Sequence, residues 1–209
     1  MGKKITEIVL AVVIVGLAFV IYRQISTPIN FEHEKSVREA AVVERIKEIR
    51  TAERQFKSKY QRFTASFDTL INFVLTETME GERKIVDEDD SAAMAMLKKM
   101  KKKNIETFTY SVKDSLFKNV SEKEIRNFRY IPYSNNKEYR LEASFIQTES
   151  KIVIPTVECR APYKDFLDVE KYEQEIINLI DNDVNNLNRY PGIKFGSMEG
   201  GNNEAGNWE

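Results

Sequence analysis

The 209-residue sequence predicts an α+β fold in which a long amino-terminal helix packs on a small antiparallel β-sheet. Three observations predict it. An apolar run and an amphipathic stretch with helical periodicity come first, alternating runs separated by turn residues follow, and a Gly/Asn-rich tail ends the chain. With 42% hydrophobic residues and a net charge of −1, the composition indicates one domain, or one domain plus an anchor, with no general attraction to nucleic acid.

The apolar run predicts a membrane-spanning helix. Residues 8–22 carry no charge, and together with residues 5–7 they approach the roughly 20 residues that a bilayer requires. Lys3 and Lys4 precede the run and an acidic stretch follows Arg23, so the positive-inside rule puts the amino terminus in the cytoplasm and the rest of the chain outside it. The alternative is a cleaved secretory signal, but no small-x-small cleavage site is present. The predicted division is therefore residues 1–27 and 28–209.

Glu7 in the first segment and Pro28 directly after it are candidates for a role of their own. Glu7 is an acid in an apolar span, where a charge is costly and by default indicates function. The alternative is that Glu7 snorkels to the headgroup level. Pro28 is predicted to interrupt the helix or to mark a kink in it.

After Pro28 the sequence predicts an amphipathic helix. Its apolar stripe is Val42, Ile46, Ile49, Ala52, Phe56 and Tyr60. Charged residues cover the other faces, with Glu53 and Lys57 as an i,i+4 ion pair at the surface. We expect the stripe to pack on the protein's own sheet, because it lasts only about three heptads, which is short for the alternative, a dimeric coiled coil.

A second helix is predicted to begin near Ser66, with Phe67, Leu70, Ile71 and Val74 facing inward. Residues 76–90 are polar and predict a loop. Ser91 is the expected cap of a further helix, whose lysines lie at its negative end. No aromatic residues are interleaved with these lysines, which argues against nucleic-acid binding.

The second half of the chain predicts the sheet. Residues 128–163 contain two turn signals between alternating runs and predict a three-stranded antiparallel meander. Residues 168–188 predict a helix with Tyr172, Ile176, Ile177, Ile180 and Val184 on its apolar stripe, and residues 189–197 predict a last strand. Cys159 is expected inside a strand and His33 at the surface.

No catalytic motif is present. A single cysteine and a single histidine exclude an internal disulfide, a zinc cluster and most nucleophile–base pairs. Phosphate-binding loops, the dinucleotide fingerprint and the nucleophile elbow are missing from the sequence, and the acidic run at residues 87–90 lacks the spacing of an EF-hand loop. The sequence therefore predicts a non-enzymatic assembly or interaction role.

Three stretches in one order carry a family resemblance. They are "GKKITEIVLAVVIVG", "RIKEIRTAERQFKSKYQRFTASFDTLINFV" and the tail "GGNNEAGNWE". Together they resemble the type IV pilin-like superfamily, most closely the major pseudopilin of type II secretion systems. Gly2, Glu7 and Gly16 keep the family's spacing of processing glycine, acid and helix glycine, although Lys3 and Lys4 follow Gly2, whereas the family's positive charges precede that glycine.

The resemblance implies a single-pass inner-membrane protein with a periplasmic head, polymerising through its apolar helices in a secretion or type IV pilus-like filament with other envelope components. It implies a processing role for Gly2 and packing roles for Glu7, Gly16 and Pro28. Residues 76–126 then form an α-rich insertion. The alternative is a signal-anchored periplasmic scaffold of an inner-membrane complex that does not polymerise.

The tail is expected to be a docked loop, with Trp208 packed on the sheet. The family's loop binds calcium through aspartates, and this tail contains no aspartate. Glu199 and Glu204 are the remaining candidate ligands, and calcium requires several oxygen atoms. We therefore expect no cofactor.

Overall fold

The computed structural model describes residues 2–87, 89–100 and 103–209, with the side chains of Lys3, Lys4 and Ile5 outside the description. The first element, α1, is a helix of 59 residues, Gly2–Tyr60. It continues across Pro28, so the predicted interruption there is wrong. A proline removes one backbone hydrogen bond from a helix. Pro28 is exposed, so the carbonyl that loses this hydrogen bond is not buried and the helix can continue.

The predicted stripe of α1 lies in the core. Val42, Ile46, Ile49 and Ala52 are fully buried and Phe56 is nearly so. Tyr60, the last residue of the stripe, is instead 41% exposed at the end of the helix. The stripe packs on the protein's own sheet and short helices, as predicted.

The second helix, α2 (Phe67–Thr76), begins as predicted. The Ser66 hydroxyl caps it by accepting a hydrogen bond from the Thr69 amide at 3.4 Å. Its predicted inward residues are all buried: Phe67, Leu70, Ile71 and Val74. The helix lies against α1 and closes one side of the core.

Residues 78–83 are a strand, so the predicted loop is wrong there. Strand β1 (Thr78–Arg83) pairs antiparallel with β2 (Glu106–Ser111) in a two-stranded ribbon. Between them lies α3 (Ser91–Lys99), whose cap is Asp90 and not Ser91, since the Asp90 carboxylate accepts a hydrogen bond from the Ala93 amide at 3.0 Å. Two further helices follow, α4 (Val112–Leu116) and α5 (Glu122–Arg126).

The main sheet has three antiparallel strands in the order β3-β4-β5. They are β3 (Arg140–Gln147), β4 (Val153–Pro162) and β5 (Gly192–Gly196). The predicted meander is therefore a hairpin: its first run contributes only the bridge between Tyr130 and Glu138, and the third strand comes from the end of the chain. Cys159 is buried in β4, as predicted, and His33 is exposed.

Two helices connect β4 to β5, namely α6 (Tyr163–Phe166) and α7 (Glu173–Asp181). A π-helical turn, Asn182–Asn186, extends α7. Of the predicted stripe, Tyr172 and Ile176 are buried, whereas Ile177 and Val184 are 47% and 44% exposed. A single core thus lies between α1, the main sheet and the short helices.

Candidate functional site

The first part of α1 is an apolar surface that the described part of the chain leaves open. An 18-residue window with a mean hydropathy of 2.4 lies within Thr6–Tyr60, and none of it is buried. Its large side chains from Ile8 to Tyr22 are each 48–69% exposed. This helix is long and apolar enough to cross a membrane, a property that it shares with signal sequences.

Glu7 and Gly16 lie on opposite faces of this surface. They are nine residues apart, which corresponds to a half-turn about the axis and a rise of about 13 Å. Glu7 is exposed, and a Cβ added to Gly16 would meet no atom within 4 Å. Gly2 is equally open at the start of the helix, and Met1 lies outside the described residues. Among the described residues, the small size of Gly16 therefore serves no packing.

The tail after β5 folds back along that strand. The amide of Gly196 donates to the carbonyl of Ala205 at 3.0 Å, and Phe195 forms an antiparallel bridge with Gly206. A backbone that pairs in this way cannot fray without losing those hydrogen bonds. The tail therefore extends the edge of the main sheet.

Asn207 attaches the tail to the sheet with its side chain. Its amide oxygen accepts a hydrogen bond from the Lys194 amide at 3.0 Å, and its amide nitrogen donates to the Gly192 carbonyl at 2.7 Å. Its backbone nitrogen donates to the Lys194 carbonyl at 3.0 Å. The sequence analysis did not predict a role for Asn207, although it lies directly before Trp208 in the tail, for which docking was expected.

Trp208 packs against the hydrophobic core and is half-buried. The guanidinium carbon of Arg50 lies 5.3 Å from the centre of an indole ring, within the range of a cation–π contact. Gly206 lies directly beside the ring, and a Cβ there would overlap it. A larger residue at position 206 would therefore displace the indole.

Three cations of α1 bind the carboxylates of the tail. Arg50 donates to Glu209 at 2.6 Å, and Arg54 and Lys57 donate to the two oxygens of Glu204 at 3.3 and 3.1 Å. The hydrogen bond from Arg50 is the main cause that lowers the pKa of Glu209. We call this set, together with Trp208, the carboxyl-terminal clasp. Two carboxylates of the tail, Glu204 and Glu209, are thus paired with the protein's own cations.

Glu199, the other candidate calcium ligand, is exposed, and its amide donates to the Ser197 hydroxyl at 3.1 Å. Within residues 2–87, 89–100 and 103–209, no group of three or more His, Cys, Asp and Glu side chains could hold a metal ion. The two predicted ligands therefore have different surroundings, one open to solvent and one engaged by Arg54 and Lys57.

Glu53 does not form the predicted surface pair with Lys57, which binds Glu204 instead. The side chain of Glu53 is completely buried, and its Oε2 atom accepts a hydrogen bond from the Thr64 amide at 3.1 Å. Burial raises the pKa of Glu53 to about 8, and the hydrogen bond opposes this only in part. The prediction failed because the chain after α1 folds back over this face of the helix, which helical periodicity does not show.

Comparison of the chain with protein-family models, with curated proteins and with solved structures finds no match in any of the three. The long apolar helix and the small antiparallel sheet are compatible with a pilin-like fold. The structure therefore defines an α+β protein whose small antiparallel sheet packs on the second part of one long amino-terminal helix.

Proposed function

We propose that this chain is a structural, non-enzymatic subunit of a pilin-like filament in a secretion or pilus-like envelope system. The observation that supports it best is the division of one continuous helix. Its first part is apolar and open, and its second part, from Phe31 onward, forms the spine of an α+β head. The order of the three stretches that resemble major pseudopilins adds to this support.

In this proposal the chain crosses the inner membrane once, with residues 1–27 as cytoplasmic tip and span and residues 28–209 as the periplasmic domain. The lysines before the span and the acidic stretch after Arg23 support this orientation. The assembly machinery of the envelope then supplies its partners.

Assembly proceeds by packing the apolar helices of many copies into a central bundle. Glu7 neutralises a positive charge at the amino terminus of a neighbouring copy, an attraction that is strong in a medium of low dielectric constant. Removing the carboxylate of Glu7 leaves the positive charge of the neighbouring copy buried and unpaired, which is costly. On the opposite face, Gly16 lets a neighbouring backbone approach closely.

The test is the substitution Glu7→Ala in the full chain, with Glu32→Ala as the matched control. Glu32 is an exposed acid of the same helix beyond the span, and its ion pair with Lys35 spans one turn at 3.4 Å. We expect Glu7→Ala to abolish filaments in electron micrographs of cell envelopes while the head keeps its circular dichroism spectrum. Glu32→Ala should assemble normally. Normal filaments from Glu7→Ala would contradict the proposal.

The second candidate function is a signal-anchored scaffold that never polymerises. The order of the first residues favours it, because Lys3 and Lys4 follow Gly2, whereas the family's processing site has its positive charges before the glycine. Mass spectrometry of the mature amino terminus distinguishes the two. Loss of Met1 and Gly2 with a modified new terminus indicates pilin-like processing, and an intact Met1 indicates the anchor.

A further inference from the structure

Strands β1 and β2 form an arm that carries α3 at its tip. The ribbon of β1 and β2 is six residue pairs long, from Thr78–Ser111 to Arg83–Glu106. At about 3.4 Å per residue it extends about 20 Å. The ion pair between Arg83 and Glu106, 2.7 Å long, lies at the end of the ribbon next to the tip.

The tip is closed by its own hydrogen bonds. The Asn104 side chain accepts from the Val86 amide at 2.8 Å and donates to the Val86 carbonyl at 2.9 Å. Leu97 is buried, whereas Met96 and Met100 are 70% and 62% exposed. Exposed methionines on a defined helix are adaptable apolar contacts and are typical of binding surfaces.

The same end of α3 is positively charged. Lys98, Lys99 and Lys103 are exposed there, beside the two methionines. The carboxylates of Asp89 and Asp90 belong to the other end, at the helix amino terminus, where they complement the helix dipole. We call Met96, Met100, Lys98, Lys99 and Lys103 the methionine–lysine tip.

A cleft of about 590 Å³ lies elsewhere on the head, between α1 and α5. Its carboxylates are Glu44, Glu48 and Glu124, and its apolar lining includes Ala41 and Val120. We call it the acidic cleft. It combines negative charge with apolar surface, the complement of the methionine–lysine tip.

Arg45 offsets only part of this negative charge. It forms an ion pair with Glu48 at 3.2 Å and donates to the Glu124 carbonyl at 3.2 Å, so the lining holds one guanidinium and three carboxylates. The Glu124 carboxylate also accepts hydrogen bonds from the Ser121 amide and hydroxyl at 2.8 and 2.7 Å. Burial, and then repulsion from Glu44 and Glu124, raises the pKa of Glu48, and Arg45 opposes that rise. The cleft therefore attracts a further cation.

We propose that the methionine–lysine tip of one copy docks in the acidic cleft of a second copy. The lysines meet the carboxylates, and the methionines cover the apolar lining. This inference rests on the proposed assembly function and names the contact between heads. Because two different patches meet, the contact is heterologous, and such contacts repeat into open filaments when they do not close into a ring.

The start of the arm and the cleft lie at different heights along α1. The arm starts beside Lys59, whose ammonium group donates to the Thr78 carbonyl at 2.9 Å. The cleft lies at Glu44, fifteen residues earlier in α1, which corresponds to about 22 Å along the axis. Within one chain the tip remains open, as the exposure of Met96 and Met100 shows. The cleft is thus available to a second copy.

Disulfide cross-linking of the full chain in envelopes tests the contact. Cys159 is fully buried and does not compete, so Met100→Cys with Val120→Cys introduces the reactive pair. We expect the double variant to form a ladder of dimers, trimers and longer species, and each single variant to stay monomeric. A heterologous contact predicts this difference, because only the double variant carries one cysteine on the methionine–lysine tip and another in the acidic cleft.

Charge exchange provides the second arm of the test. Lys99→Glu or Glu44→Lys alone should reduce the ladder at least tenfold, and the two together should restore it. The matched controls are Lys151→Glu and Glu149→Lys, exposed residues of the β3–β4 turn that should change nothing.

An unchanged ladder in either single charge variant, a ladder that the double charge variant does not restore, cross-linking of Met100→Cys to itself, or cross-linking to a different protein would each overturn the docking. Filaments that persist in those cases leave the proposed assembly through the apolar helix intact. Loss of docking and loss of assembly are therefore separate results, since only the latter depends on Glu7.

Discussion

Glu53 places a carboxyl group in the core without a cationic partner among the described residues. Its Oε2 atom accepts a hydrogen bond from the Thr64 amide, and its Oε1 atom is buried with no hydrogen-bond partner among the described residues. An ionised carboxylate in these surroundings is costly, which is why burial raises its pKa to about 8. At neutral pH Glu53 is therefore mostly protonated and holds the turn after α1 as a neutral group.

This pKa predicts the pH dependence of stability. The folded state binds the proton more tightly than the unfolded chain, whose ordinary value is 4.5. The free energy of unfolding should therefore be largest below pH 4.5 and fall as the pH rises towards 8. We expect a loss of about 2–4 kcal/mol between pH 5 and pH 8 in urea titrations followed by the fluorescence of Trp208.

The variant Glu53→Gln should remove most of this slope, because the amide oxygen still accepts the Thr64 hydrogen bond but no proton is bound. Glu149→Gln, which changes an exposed carboxylate, is the matched control and should keep the slope. A slope that survives in Glu53→Gln would assign the pH dependence to another group.

The carboxyl-terminal clasp joins the last element of the chain to α1. It combines the indole of Trp208 on the core with the ion pairs from Arg50, Arg54 and Lys57. The pairing of the tail with β5 adds to it. Exposed ion pairs contribute little each, so the apolar contact of the indole should dominate the stability of the clasp. The tail is thus part of the head.

The variant Trp208→Ala should lower the free energy of unfolding by about 1–3 kcal/mol, because a half-buried aromatic contact is lost. Trp208→Phe should lose less, since it keeps a ring and removes an indole nitrogen that is buried without a partner. Thermal unfolding followed by circular dichroism measures both. A metal chelator should leave the wild-type midpoint unchanged, because Arg54 and Lys57 already neutralise Glu204.

A drop in the midpoint on chelation, restored by added calcium, would show that an ion stabilises the tail. An unchanged midpoint in Trp208→Ala would show instead that the pairing of the tail with β5 suffices. The two results are distinguishable, because the indole contacts Arg50 and the carboxylate of Glu204 contacts Arg54 and Lys57.

The whole molecule consists of one long helix and an α+β head that is built around the second part of that helix. Helix α1 spans 59 residues and is about 88 Å long, and its second part supplies one wall of the core. Among the described side chains, the buried ones of α1 begin at Phe31. The core of the head therefore contains nothing from residues 6–27.

A chain that begins at Pro28 should consequently fold alone. Proline is favourable in the first turn of a helix, so the new terminus suits α1. We expect this chain in the soluble fraction, with a thermal midpoint within a few degrees of the full chain in detergent, because no buried contact is removed. The full chain should remain in the membrane fraction after an alkaline wash. Aggregation or loss of the circular dichroism spectrum in the shortened chain would contradict this division.

Local patterns predicted the elements that depend on neighbours along the chain. The stripe from Val42 to Phe56, the cap at Ser66 and the strand at residues 192–196 all follow from periodicity and turn chemistry over a few residues. The apolar run at residues 8–22 is as plain in the sequence as in the structure. Much of the fold class could therefore be predicted.

The rest required contacts between distant residues. Strand β1 contains a glycine and four polar residues and acquires its structure from pairing with β2, and Glu53 is buried only because Thr64 folds over it. In the same way, the tail residue Glu204 finds Arg54 and Lys57 about 150 positions away. The sequence by itself determined the apolar and amphipathic helical stretches and the α+β order, since these arise from local periodicity. Only the tertiary structure decided which carboxylates are buried, paired or open, because a carboxylate's surroundings depend on the segments that fold against it.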